Sequence, residues 1–109
     1  MTVPGPGANE GLVKVDGCDL CEAARLTHRY HEDDVCWVAE CEACDTPMVV
    51  WNWHGAEPPD DHRTHMLAVL DRVGGEVFAE HRIDGVMRQI PDHFHAHARP
   101  KGGFFGPRR

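Results

Sequence analysis

The sequence is poor in aromatic residues. Aromatic side chains make up 7% of the 109 residues, whereas the chain has eleven glycines and eight prolines. A chain of this length buries about two-thirds of its unfolded surface, which is enough for one domain with a modest core. A lean core with many turns predicts that an additional crosslink stabilises the fold.

Positive charge is also scarce, and the formal net charge is −7 at pH 7. Binding to nucleic acid or to an anionic membrane needs clustered cations. The composition therefore argues against a strong nucleic-acid footprint and against a membrane-surface role. The one basic cluster is Arg99 together with Lys101, Arg108 and Arg109, and we expect residues 101–109 to form a flexible basic tail.

Long apolar runs are absent as well. No stretch reaches membrane-spanning length, and the Gly/Pro-rich start has no apolar segment of the secretory type. Five cysteines, an odd number, fit metal ligands in a reducing compartment better than a disulfide framework. We therefore expect a cytoplasmic protein with disordered residues 1–11 and one domain over residues 12–100.

Hydrophobic patterning predicts an α+β domain with an antiparallel sheet of about five strands and one long helix. Residues 29–41 are typical of a hairpin that turns at Asp33-Asp34, and "PMVVWNWH", residues 47–54, is typical of a strand buried on both faces. Apolar residues recur at helical spacing over residues 62–81, with Asp60 or Asp61 as the expected cap. Gly74 and Gly75 either weaken this helix or mark a close approach to the sheet. A turn at Asp84-Gly85 precedes the fourth strand, and "DHFHAHARP" continues as the fifth.

Two CxxC pairs are the strongest metal signal. Cys18 and Cys21 are separated from Cys41 and Cys44 by 19 residues, a spacing typical of a four-cysteine zinc site. The predicted hairpin returns Cys41 to the neighbourhood of the first pair. The alternative is a set of small buried hydrophobic residues or a redox pair. Cys36, inside a predicted strand, is expected in the core.

Three histidines alternate with apolar residues near the end of the domain. Because successive side chains of a strand face opposite ways, His93, His95 and His97 are expected to share one face, and Phe94, Ala96 and Ala98 the other. Three convergent imidazoles suit metal binding, or a nucleophile with an acid–base partner. His54 is either a further ligand or a strand terminator, whereas His62 and His65 are expected in solvent.

The segment "HFHAHAR", residues 93–99, resembles the signature of the histidine-triad (HIT) superfamily, and the likeness extends over residues 18–100. The resemblance implies a HIT-like fold and a nucleotidyl hydrolase or transferase acting on a nucleoside phosphoester or phosphoramidate. In this family the middle histidine, here His95, attacks the α-phosphate, and the third, here His97, contacts the phosphate and leaving group. The resemblance also implies an alternative zinc site formed by Cys18, Cys21, His54 and His93.

The chain departs from the family in the segment "DGVMRQIPD", residues 84–92, which is short and lacks serine and threonine. Only Gln89, with Arg99 beyond the triad, remains to contact a phosphate. Two other functions therefore stay open: a non-catalytic zinc-binding interaction module, and a metal-dependent hydrolase whose ligands are the triad. Family enzymes are often dimers, so a homodimer is a candidate assembly.

Overall fold

The computed structural model describes residues 12–14, 17–22, 27–41, 46–85, 87 and 90–101. These residues form two helices and five strands in the order α1 (Asp19–Glu22), β1 (Arg29–Glu32), β2 (Cys36–Glu40), β3 (Pro47–Trp51), α2 (Asp60–Val77), β4 (His81–Asp84) and β5 (His95–Pro100). The predicted disordered segment and basic tail lie outside the described residues, apart from Lys101.

The five strands form one antiparallel sheet in the order β1-β2-β3-β5-β4. The last strand of the chain is therefore inserted between β3 and β4. The predicted α+β class, five strands and single long helix are confirmed. β3 is buried along almost its whole length, as its continuous apolar sequence predicts.

Helix α2 packs on one face of the sheet and forms the larger core there. Met66, Leu70 and Val73 of the helix are buried against side chains that include Val49 of β3 and Ala96 of β5. The other face has a smaller apolar cluster of Trp37, Ala39 and Val50, with Leu20 and Met48 packed against it. The face of the sheet that contacts α2 is therefore covered by a larger apolar cluster than the opposite face.

The two faces of β5 follow the predicted alternation. Phe94, Ala96 and Ala98 belong to the core on the helix side. His95 pairs across the sheet with Val50, and His97 pairs with Met48, so both imidazoles lie on the face opposite α2. The strand itself begins at His95, and His93 is held before it by an isolated bridge to Gly55.

Glycine at position 74 allows α2 to approach the sheet. A Cβ atom there would lie 2.7 Å from Cδ2 of His81 and 2.9 Å from Cβ of Ala98. Both distances are shorter than a tolerable carbon–carbon contact. Of the two expectations for Gly74 and Gly75, a close approach of the helix to the sheet is confirmed at Gly74.

Several predicted boundaries were wrong. Pro59 occupies the N-cap position of α2 without a side-chain cap, and Asp60 and Asp61 lie in the first turn, where carboxylates favour the positive helix end. The helix ends at Val77 because Phe78 is extended and buried. β3 ends at Trp51 rather than at position 54. β4 runs from His81 to Asp84, before the predicted Asp84-Gly85 turn rather than after it, and no turn is assigned at these two residues. No helix among the described residues is long and apolar enough to cross a membrane.

Candidate metal centre

Four side chains from three distant parts of the sequence converge beyond the end of β3. Cys18, Cys21, His54 and His93 each offer one ligand atom, and these atoms all lie within 4.8 Å of one another. The Sγ–Nδ1 distances are 3.5 Å for Cys18–His93, 3.5 Å for Cys21–His54 and 3.4 Å for Cys21–His93. This set, which we call the metal centre, could hold a metal ion.

Backbone pairing positions the two histidines. The N–H of His54 donates to the carbonyl of Val13 at 2.6 Å, which holds the segment after β3 against the start of the domain. Gly55 pairs with His93, and the N–H of Phe94 donates to the carbonyl of Gly55 at 2.6 Å. The two imidazoles are consequently adjacent, with ring centroids 5.5 Å apart.

Glycine is required at position 55 for this pairing. Its φ is 142°, in a region that side-chain-bearing residues rarely adopt, and a Cβ would lie 3.3 Å from the Trp51 ring. His54 and Gly55 therefore act together: His54 offers a candidate ligand atom, and Gly55 allows the backbone to pair with His93. His54 belongs to the group of converging ligand atoms, which favours the expected ligand role over that of a strand terminator.

The outer nitrogen of each histidine has an acceptor that fixes its tautomer. Nε2 of His93 lies 2.7 Å from the carbonyl oxygen of Trp51, and Nε2 of His54 lies 3.0 Å from Oδ2 of Asp92. Because both oxygens accept, each Nε2 carries the proton in the neutral ring and each Nδ1 lone pair faces the cysteines. Such outer partners typically orient metal-bound imidazoles.

Burial of His93 favours its neutral form, which is the form that binds a metal. The residue has no solvent exposure, and desolvation lowers the pKa of its imidazole, a shift that the hydrogen bond to the Trp51 carbonyl only partly opposes. A neutral imidazole is the ligand form of histidine. Cys21 is also buried, whereas Cys18 and His54 are partly exposed, so the metal centre lies at the boundary between core and solvent.

The structure brings together the mixed cysteine–histidine set that the family resemblance implies. Cys18 and Cys21 belong to it, whereas Cys41 belongs to no group of converging ligand atoms within the described part of the chain. The backbone N–H of Cys41 donates to the carbonyl of Thr46 at 2.8 Å. Cys44 lies outside the described residues, so the four-cysteine site stays an untested prediction.

The second and third triad histidines form a separate pair. Both are buried, and their ring centroids are 6.0 Å apart at an interplanar angle of 80°. Nδ1 of His95 donates to the carbonyl of His93 at 2.7 Å, so the neutral ring keeps its lone pair on Nε2. His93 faces the cysteines, and neither group of converging ligand atoms in the described ranges includes His95 or His97. These positions give no support to one ion bound by all three.

The predicted phosphate contacts are only partly described. Arg99 lies on the same face of β5 as His95 and His97 by strand alternation, and its Nε donates to Oδ2 of the buried Asp84 at 2.7 Å. Asp84 is also the cross-strand partner of His97. Gln89 lies outside the described residues.

The sequence reasoning missed a second convergence of ligand atoms. His31, Asp33, Cys36 and His65 each offer one atom, again all within 4.8 Å of one another. His65 was expected in solvent and is indeed exposed, but its place in this group was not predicted, and no role was predicted for His31. Cys36 was expected in the core and is fully buried there. The only sequence signal is the short spacing His-x-Asp-x-x-Cys, because His65 comes from a different element.

Unusual protonation equilibria accompany this second group. Burial, reinforced by the charge of Asp33, raises the pKa of the Cys36 thiol to about 12. Burial also opposes ionisation of Asp33, but hydrogen bonds from His31, His65 and two backbone N–H groups outweigh it. They hold the pKa of the carboxyl well below its usual range.

Comparison of the chain with protein-family models, with curated proteins and with solved structures gave no match.

Proposed function

We propose that the metal centre binds one zinc ion, which crosslinks the segments beyond the end of β3 in a HIT-like fold. Zinc takes nitrogen and sulfur ligands in tetrahedral geometry, with Zn–S near 2.3 Å and Zn–N near 2.0–2.1 Å, which separates S from N by about 3.6 Å. The three Sγ–Nδ1 distances of 3.4–3.5 Å are close to that value. This agreement is the main support for the proposal.

Zinc at this position would join parts of the chain that are far apart in sequence. The CxxC segment, the residues after β3 and the residue two positions before β5 would share one ion. Structural zinc contributes on the order of 10–16 kcal/mol of apparent binding free energy in small domains. Such a contribution would compensate for the lean aromatic content of the core.

Metal analysis of purified variants tests this assignment. We expect His54→Ala to lose one equivalent of zinc and Cys41→Ser, the matched control, to retain it. Retention in His54→Ala together with loss in Cys41→Ser would instead establish the four-cysteine site. Circular dichroism of each variant separates metal loss from unfolding.

We further propose that His95 is the nucleophile of a nucleotidyl hydrolase or transferase. The supporting observation is the Nδ1–H donation from His95 to the carbonyl of His93, which leaves the Nε2 lone pair for attack. The same backbone carbonyl belongs to a residue of the metal centre. Metal binding at His93 would therefore hold the acceptor that orients His95.

The proposed reaction on a nucleoside phosphoramidate has two steps. Nε2 of His95 forms a bond to the α-phosphorus while the P–N bond breaks, and its electron pair leaves with the amine, which takes up a proton. Water then attacks the same phosphorus, the His95–phosphorus bond breaks, and the nucleotide is released. In this proposal His97 would contact the phosphate and leaving group, and the Arg99 guanidinium would stabilise the developing negative charge.

Single-turnover incubation with adenosine 5′-phosphoramidate tests the nucleophile. We expect AMP release by the wild type and by His28→Ala, an exposed control, and no release by His95→Ala. A nucleotide bound covalently to acid-quenched wild type would identify the intermediate. Absence of turnover in zinc-loaded, folded wild type would favour the non-catalytic interaction module. A homodimer, the candidate assembly, can be tested on the same samples by sedimentation.

A further inference from the structure

The second group of ligand atoms lies where the β1–β2 hairpin meets α2. We call His31, Asp33, Cys36 and His65 the hairpin cluster. His31 lies on β1, Asp33 in the turn and Cys36 at the start of β2, while His65 lies in α2. The cluster therefore links the sheet to the helix that covers it.

The turn itself aims the carboxylate of Asp33. Its Oδ1 accepts the backbone N–H groups of Val35 at 2.8 Å and Cys36 at 2.9 Å. Its Oδ2 is thereby directed between two imidazoles, with Nε2 of His31 and Nε2 of His65 each 2.6 Å away. One carboxylate oxygen and two imidazole nitrogens thus converge on one point, and the buried Cys36 sulfur belongs to the same group.

The set of ligand atoms has a clear metal preference. Two imidazole nitrogens, one carboxylate oxygen and one thiolate are a combination that zinc accepts in tetrahedral geometry. A thiolate disfavours calcium and magnesium, which prefer oxygen ligands. Tetrahedral ligation would require N–O distances of about 3.3 Å, so the two 2.6 Å contacts need to open by less than about 1 Å.

We propose that the hairpin cluster is a second metal site, which binds a divalent transition-metal ion of the zinc type. The ion replaces the protons that now join the imidazoles to Asp33, and the Cys36 thiol releases its proton on ligation. The bound ion would crosslink the hairpin to α2. This site uses no residue of the metal centre, so each can be tested without the other.

Arg72 opposes this binding. Its guanidinium donates to Nδ1 of His31 at 3.1 Å and to Oε1 of Glu76 at 2.9 Å. Donation to Nδ1 requires the neutral ring of His31 to carry its proton on Nε2, the nitrogen that the metal needs. Metal binding must move that proton to Nδ1 and turn Arg72 toward Glu76. Removal of the guanidinium should therefore tighten binding severalfold.

Zinc titration of the full chain against a chromophoric chelator tests the proposal. Asp33→Asn preserves an oxygen that accepts the turn N–H groups, and His65→Ala removes an exposed side chain, so both variants should fold. We expect the wild type to bind two equivalents of zinc. Each variant should weaken the binding of one equivalent, and by more than the roughly 10- to 100-fold that loss of a hydrogen-bonding partner of a ligand causes. His28→Ala, the matched control, should bind both, and Arg72→Ala should bind one of them more tightly.

Cobalt(II) identifies the sulfur ligand. In the His54→Ala background, which impairs the metal centre, the cobalt–thiolate absorption of the hairpin cluster should persist and should disappear on Cys36→Ala. Zinc binding that is unchanged in both Asp33→Asn and His65→Ala would overturn the second site. Loss of one equivalent from His54→Ala, with the equivalent that depends on Asp33 and His65 retained, would establish that the two sites are separate. Loss of both equivalents from His54→Ala would contradict their independence.

Discussion

Nε2 of His54 lies 3.0 Å from Oδ2 of Asp92, although the two residues are 38 positions apart in the sequence. Asp92 is exposed, with 69% of its side chain accessible, whereas His54 reaches inward to the cysteines. The contact therefore connects the surface to the metal centre through one imidazole. Because outer partners raise ligand basicity and fix ring orientation, we expect Asp92→Ala to weaken zinc binding by roughly 10- to 100-fold.

Competition with a chelator measures this effect. Asp61→Ala is a suitable control because Asp61 is also an exposed carboxylate and lies at the start of α2, away from the ligand set. Equal zinc affinity in Asp92→Ala and the wild type would contradict a role for Asp92 in orienting His54.

Substitution of Gly55 by alanine tests the backbone strain beside the metal centre, and the same substitution at Gly85 is the matched control. Gly55→Ala should cost about 1–3 kcal/mol of unfolding free energy, because φ is 142° and the new Cβ meets the Trp51 ring at 3.3 Å. Among the described residues other than its chain neighbours, no atom lies within 4 Å of a Cβ at Gly85, and Gly85→Ala should change stability by less than about 0.5 kcal/mol. Urea unfolding of both variants gives the comparison, and equal midpoints would contradict the strain at Gly55.

Gly74 and Gly75 should respond to alanine with opposite signs. Both lie inside α2, where alanine is favoured over glycine by up to about 1 kcal/mol. At Gly74 the added methyl group collides with His81 and Ala98, so overpacking of about 1–3 kcal/mol should exceed that gain. At Gly75 an added Cβ would lie 3.8 Å from Cε1 of His81, an ordinary contact distance, so the gain in helix stability should remain. Thermal unfolding that ranks Gly75→Ala below Gly74→Ala would show this packing to be wrong.

Asp33 should make the fold sensitive to acid. The folded-state pKa of this carboxyl is depressed below its ordinary value of 3.8, so its ionised form stabilises the fold above that pH. This contribution is lost as the pH falls below about 4 toward the depressed value, because the unfolded state then binds the proton first. We expect a steeper decline of unfolding free energy below pH 4 for the wild type than for Asp33→Asn.

Urea titrations in the presence of a chelator measure the decline without bound metal. Asp34→Asn is the neighbouring control, since Asp34 is exposed in the same turn. Parallel curves for the wild type and Asp33→Asn below pH 4 would contradict the depressed pKa.

Local patterns predicted the architecture well because they report burial directly. The continuous apolar run at residues 47–51 indicated a strand covered on both faces, and alternation at residues 94–98 indicated which side of β5 meets the helix. The helix start was predicted less well. Asp60 and Asp61 have the residue type of a cap, but Pro59 fixes the backbone one position earlier.

The metal ligands depended on information that spacing does not contain. Two CxxC pairs 19 residues apart are compatible with a four-cysteine site, and nothing in that spacing indicates that Gly55 pairs with His93. The hairpin cluster was harder still, because His65 joins it only through the packing of α2 on the sheet. The spacing His-x-Asp-x-x-Cys alone indicates no more than a turn at Asp33.

The sheet order has a consequence for synthesis of the chain. β3 can pair with β2 once both have been made, but in the described sheet its other edge pairs with β5, which is made after α2 and β4. A nascent chain that has reached residue 90 therefore has CxxC and His54 but neither His93 nor the strand that closes the sheet. An open apolar strand edge is a template for intermolecular pairing. We therefore expect the risk of aggregation during synthesis to be greatest between translation of β3 and of β5.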